Sequence, residues 1–185
     1  MIKDWHGLLG TFTGVALLTV AVLPLAVLVT RARARRRRAA GFPPASAWRT
    51  SSAEVGIVYG TVPWAWMILL PGAAAGTATG RTSLVPLSDL VTMSTGQVVG
   101  NLLVFAALGA LVPLRFPAFA STPRIAALAA ACSVLLEAAQ YALRLDRVSS
   151  VDDVLLNTAG AVLAALLSRR WWSPSVDRPL PVPAR

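Results

Sequence analysis

Long apolar stretches alternate with short charged ones along this chain, and the alternation predicts membrane-crossing helices. Residues 5–30 hold no Asp, Glu, Lys or Arg, and a helix over residues 8–29 is long enough for a hydrocarbon core of roughly 30 Å. A polar, proline-containing stretch over residues 43–52 separates it from the next charge-free window, residues 55–80. The helical part of that window is expected to end near Pro71, because the glycines and threonines up to Gly80 read as a flexible connection, and Pro63 is expected to kink it. A third stretch spans residues 90–114 with Gln97 and Asn101 near its start, and a fourth spans residues 125–143 with Glu137 and Gln140 inside it. The fifth, residues 154–168, is short unless its polar lead-in is counted, and it ends at Arg169-Arg170-Trp171-Trp172. The reading is an all-α, polytopic membrane bundle of about five transmembrane helices.

Composition supports a membrane setting: 56% of residues are hydrophobic and 14% charged, well short of the quarter usual in soluble domains. The single Cys132 excludes a disulfide within the chain and a cysteine-based zinc site, and the lone His6 argues against a Ser-His-Asp triad or a multi-histidine metal centre. Seventeen basic against eight acidic residues leave a net charge of +9, whose placement matters more than its sum. With the N-terminus outside and the C-terminus cytoplasmic, thirteen arginines fall in cytoplasmic segments against four basic residues outside. The run over residues 31–38 follows the first apolar stretch, which marks that stretch as a retained anchor and not a cleaved signal peptide. The run reads as a topology determinant with some attraction to the anionic inner leaflet, and no nucleic-acid partner is assigned. Residues 1–53 form an anchor with a basic loop, 54–172 the bundle, and 173–185, rich in proline, a disordered tail.

This topology gathers the costly polar residues at one depth on the outer side. Glu137 lies six residues before Leu143, roughly 9 Å inside the outer end of its helix. Glu137, Gln140 and Arg144 form one stripe; Asn101 faces it from the third helix, and Asp152, Asp153 and Asn157 from the start of the fifth. Arg144 or Arg147 is the expected ion-pair partner of Glu137. Ser149 and Ser150 are expected to cap the last helix. Single amides often lock helices together by hydrogen bonds, but intramembrane ionisable residues are functional candidates. Asp152, Asp153 and Glu137 offer oxygen ligands suited to a divalent cation, yet no spacing is diagnostic, so no metal and no cofactor is assigned.

Three segments carry a recognisable pattern: Gly100-Asn-Leu-Leu-Val-Phe-Ala-Ala-Leu-Gly-Ala-Leu-Val-Pro-Leu114, Leu136-Glu-Ala-Ala-Gln140, and Arg147-Val-Ser-Ser-Val-Asp-Asp-Val-Leu-Leu-Asn-Thr-Ala-Gly160. Together they resemble the VanZ-like family, with its Asn-bearing helix, Glu-x-x-Gln helix and Arg-x(4)-Asp-Asp-x(3)-Asn-x-x-Gly block. Arg81-Thr-Ser-Leu-Val-Pro-Leu87 resembles the segment that usually precedes them. The resemblance covers roughly residues 80–168. It implies a small multi-pass protein of the bacterial plasma membrane, whose namesake is linked to resistance against teicoplanin-type glycopeptides. Asp146 stands where a glycine often precedes the arginine, which is expected to alter the turn. Ala106-Ala107 stands where a bulky residue and proline are common, which is expected to straighten the third helix.

Three functions remain open. One is a binding or resistance protein whose outer-leaflet pocket recognises a lipoglycopeptide or a lipid-linked envelope precursor through Arg81, Asn101, Gln140, Arg147, Asp152 and Asn157. Another is an intramembrane enzyme acting on such a lipid, with Glu137 as general acid or base and Asp153 beside it. The third is a structural or assembly protein without a ligand. Membrane lipids are expected partners in each case; the oligomeric state is open.

Overall fold

The computed structural model describes residues 10–77 and 81–172. The helices are α1 Phe12–Ala39, α2 Pro44–Ile68, α3 Thr95–Val104, α4 Ala106–Arg115, α5 Thr122–Ala142 and α6 Val151–Ser168. Two three-residue strands, β1 Arg81–Ser83 and β2 Val148–Ser150, pair in parallel. The start of the first apolar stretch and the expected disordered tail lie outside the described residues. Among those described, four helices are long and apolar enough to cross a membrane: Phe12–Ala39, Thr95–Arg115 (α3 and α4 together), Thr122–Ala142 and Val151–Trp171. The second expected stretch is α2, whose first half carries Arg49 and Glu54. The chain is therefore a multi-pass helical bundle.

Local chemistry explains most helix starts. Thr11 caps α1 by accepting from the Gly14 amide at 3.0 Å. Pro44 opens α2, where its fixed φ suits the first turn and its missing N–H has no helical partner to lose. Ser94 and Gln97 cap α3 reciprocally, and Ser150 caps α6 through the Asp152 amide.

Four features differ from the sequence reading. The arginine run is helical to Ala39, since Arg and Ala are strong helix formers and cations at a helix C-terminus complement its dipole. Residues 44–52, expected to connect, belong to α2. The segment around residues 81–83, read as loop, pairs as a strand with Val148–Ser150. The third span is not straightened by Ala106-Ala107 but broken at Phe105, with φ −113° and ψ 15°. Tertiary packing decides that break, because α6 lies in the crook of it. A Cβ on Gly160 would stand 1.9 Å from the Leu102 carbonyl oxygen, and one on Gly109 would stand 2.0 Å from that of Ala161. Backbones this close leave room only for glycine.

The helices pack in the sequence α1, α2, α4, α6, α5, with α3 also against α6. The buried core is Val104, Phe105, Leu108 and Val112 of the broken span, Ile125 and Ala129 of α5, and Ala161 and Ala165 of α6. Small residues dominate on α6 because dispersion between closely approaching backbones, not exclusion of water, holds helices together in lipid. Leu17, Val20, Leu135 and Leu167 face outward, as the lipid-facing surface of such a bundle requires.

The two ends differ in charge. At one end Glu54 of α2 takes Arg33 of α1 at 2.5 Å, Arg37 of α1 at 2.7 Å and Arg115 of α4 at 2.5 Å. The strand pair, the start of α1 and the end of α5 lie at the other. Gly160→Ala is expected to lower stability by about 1–3 kcal/mol through overpacking against Leu102. Gly100→Ala, where a Cβ meets nothing within 4 Å, is expected to raise it by about 0.5–1 kcal/mol. Thermal unfolding of the two purified variants in detergent checks the contrast.

Candidate functional site

At the end away from Glu54, α3, α5 and α6 converge with the end of α2 on a cavity of about 720 Å³. Its polar lining includes Asn101, Glu137, Gln140, Arg147 and Asp153; Phe12, Trp64, Met67 and Ile68 form an apolar wall. Residues from five stretches of sequence therefore meet where the spacing expected only three.

Each polar side chain is placed by a specific contact. The Asn101 amide donates to the Asp153 carboxylate, joining α3 to α6. Glu137, 8% exposed, accepts from the Ser150 amide at 3.1 Å, and its own carbonyl accepts from the Ser149 hydroxyl at 3.0 Å. Gln140 donates through Nε2 to the Ile68 carbonyl at 3.1 Å, tying α5 to the end of α2. No ion pair joins Glu137 to Arg147 or Arg144, contrary to expectation. Arg147 instead reaches the Leu70 carbonyl at 3.4 Å and stacks over the Phe12 ring at 5.8 Å. The β2 backbone thereby supplies the donor that sequence spacing assigned to arginine. The Nε of Arg147 is buried without a hydrogen-bond partner among the described residues.

Two expected ligand-binding residues are turned away from the cavity. Asp152 is 2% exposed; its carboxylate accepts the backbone N–H groups of Leu87 at 2.5 Å, Asp89 at 2.9 Å and Leu90 at 3.1 Å. These bonds hold Leu87 at φ 66°, a conformation that costs a residue with a Cβ of order 1–3 kcal/mol. Asn157 is 1% exposed and donates to the Ser133 hydroxyl at 2.8 Å, a bond between α6 and α5. Its Oδ1 is buried without a partner among the described residues. Arg81 contributes its backbone to β1, and its side chain lies outside the described structure. With Asp152 turned to the loop, Glu137, Asp152 and Asp153 do not converge, and no cluster of three acids, His or Cys suited to a metal occurs among the described residues.

Ser150 is the unexpected hub. Besides capping α6 and donating its amide to Glu137, it donates its hydroxyl to Asp89 Oδ2 at 2.6 Å. Sequence marks Ser150 only as a cap, and the partner is some sixty positions away. The Ser150 bond, helped by Ser83, holds the Asp89 carboxyl below its usual value of 3.8. A depressed aspartate contributes stability that is full above its unfolded value and lost as pH falls through the folded one. Phe12 and the α2 wall carry no polar signal, so pattern-reading passes them over.

The turn before Arg147 accounts for the residue preceding it. Asp146 sits at φ 56°, where glycine is favoured and aspartate tolerated, and its Oδ2 accepts from the Ala74 amide at 3.0 Å. The turn is bound to residues 72–76 through Gly72 to Leu145 at 2.8 Å and Gly76 to Arg144 at 2.9 Å.

Asp152→Asn places a donor where three N–H groups converge, and is expected to destabilise the loop by about 1–3 kcal/mol. Hydrogen exchange at Leu87, Asp89 and Leu90 is expected to accelerate in that variant while exchange in α4 stays slow. In the wild type, protonation of Asp89 weakens its bond with Ser150, and exchange at the Asp89 amide is expected to rise as pH falls below 3.8, once differences in intrinsic exchange are removed.

No curated protein and no solved structure matches the chain. A family model described as VanZ/LLP1 matches residues 57–172, from within α2 to the end of the helical bundle. The match extends beyond the motif-bearing segment and takes in both the cavity's polar residues and the α2 wall, so the chain belongs to the VanZ/LLP1 family.

Proposed function

We propose that this protein is a binding protein of the bacterial plasma membrane whose cavity recognises an amphiphile at the outer leaflet. The observation that carries the reading is the lining: Asn101, Glu137, Gln140, Arg147 and Asp153 stand against an apolar wall of Phe12, Trp64, Met67 and Ile68. Such a division suits a ligand with a polar head and an apolar tail. Arg147 brings a cation to the cavity lining for an anionic group, while Asp153 and Glu137 offer acceptors to hydroxyl or ammonium groups. A lipoglycopeptide such as teicoplanin and a lipid-linked envelope precursor both present these groups, and reduced susceptibility to the former is the phenotype this reading predicts. The excess of arginine at the opposite end supports placing the N-terminus outside and the cavity toward the periplasm.

Glu137→Gln and Asp153→Asn test the reading. Gln retains an oxygen for the Ser150 amide and Asn one for Asn101, so both variants are expected to reach wild-type abundance in the membrane. Binding of labelled teicoplanin or lipid-linked precursor to the purified protein is expected to weaken about tenfold or more, as for a lost hydrogen bond to a charged group. Reduced abundance without altered affinity would instead indicate a structural role. Loss of a measurable lipid turnover would favour the enzyme reading, with Glu137 as general acid or base. Wild-type abundance, affinity and susceptibility in both variants would end the proposal.

A further inference from the structure

A second concavity, of about 700 Å³, runs along the outside of the bundle between α1 and α2. Its walls are largely apolar, with Val22 and Leu25 of α1 facing Val58 and Val62 of α2. Val58 is 61% exposed and Leu25 57%, so neither helix covers the other's face. The Tyr59 hydroxyl donates to the Thr19 carbonyl at 2.7 Å and the Thr19 hydroxyl to the Val15 carbonyl at 2.7 Å, so that both hydroxyls along the groove are already satisfied.

The groove ends at Arg33, Glu54 and Arg115. One carboxylate there faces three guanidinium groups, since Arg37 also bonds Glu54, and the cluster keeps two positive charges in excess. Arg33 engages Glu54 through Nε and Nη2, and Arg115 through Nε, which leaves Arg33 Nη1 and both Nη groups of Arg115 for another acceptor. Arg31, Arg35, Arg36 and Arg38 are exposed on the same end of α1. The lining on α1 runs from Arg33 to Val15, roughly 27 Å, and its half next to the arginines, from Arg33 to Val22, covers the depth of one leaflet in a hydrocarbon core of about 30 Å.

We propose that this groove binds an anionic glycerophospholipid of the leaflet at the arginine-rich end, one acyl chain lying between α1 and α2 and the phosphodiester on Arg33 and Arg115. An apolar slot deep enough for the acyl chain of one leaflet, capped by an under-neutralised arginine cluster, matches that chemistry at both ends. The exposed arginines beyond it disfavour headgroups bearing an ammonium group. An apolar helix from a second copy would leave the excess charge unanswered. The site is distinct from the cavity at the other end, so either assignment can fail without the other.

Native mass spectrometry of the full chain, released from nanodiscs holding equal phosphatidylglycerol and phosphatidylcholine, tests this. Retention of phosphatidylglycerol is expected to exceed that of phosphatidylcholine about fivefold, the effect of roughly one basic residue acting at a membrane surface. Val58→Trp fills the slot from an exposed position and is expected to abolish the preference while circular dichroism stays unchanged. Arg115→Gln removes one of the two guanidinium groups placed on the phosphodiester while Glu54 keeps Arg33 and Arg37; it is expected to reduce the preference without affecting folding, and it decides the matter if Val58→Trp does not fold. Equal retention of both lipids by the wild type would overturn the proposal. So would a preference that survives Arg115→Gln or a folded Val58→Trp, or a lipid-free dimer that Val58→Trp dissociates.

Discussion

The close approach of α6 to the broken α3–α4 span is the constraint on which the remaining geometry depends. Gly160 lies on the Leu102 backbone and Gly109 on that of Ala161, so side chains near this crossing are held in fixed relation. Asn101 neighbours Leu102, and Asp153 stands about two turns before Gly160 on α6, and the two side chains meet. α5 then packs on the other side of α6 through Ala129 and Ser133, which brings Glu137 and Gln140 to the same level. No long-range charge attraction is needed to assemble this arrangement; absent Cβ atoms do it.

The polar residues divide by what their oxygens and nitrogens already hold. Asp152 spends its carboxylate on three loop amides, and Asn157 its amide on Ser133. Both act as internal fastenings, which relieves part of the cost of placing polar groups near lipid. Arg147 and Asp153 differ in that both line the cavity. Adjacent aspartates in one helical turn thus have unlike surroundings, one bound to backbone and the other to a side chain across a cavity wall.

The sequence made the helical class and most span positions legible, because apolar runs of membrane length carry a strong signal. Periodicity also brought Asn101, Glu137, Gln140 and Asp153 to one level, since spacings of three and four along helices convert directly into faces. Three things were not legible. The break at Phe105 follows from a glycine contact with a helix fifty residues away, while the local alanines favour continuation. The partner of Glu137 is a backbone N–H, which has no sequence signature. The short strand pair and the turn at Asp146 depend on segments near residues 72–83, where glycine and threonine mark flexibility without naming a partner.

Phe12 lies in α1, far ahead of the matched family region that begins at residue 57, yet its ring covers Arg147 and closes one side of the cavity. The N-terminal helix is thus more than a tether: a family unit grafted behind a different leading helix would keep its acids and amides but acquire a new rim. Among proteins sharing the 57–172 unit, the rim of the cavity can diverge through a segment that a comparison limited to the shared region never aligns.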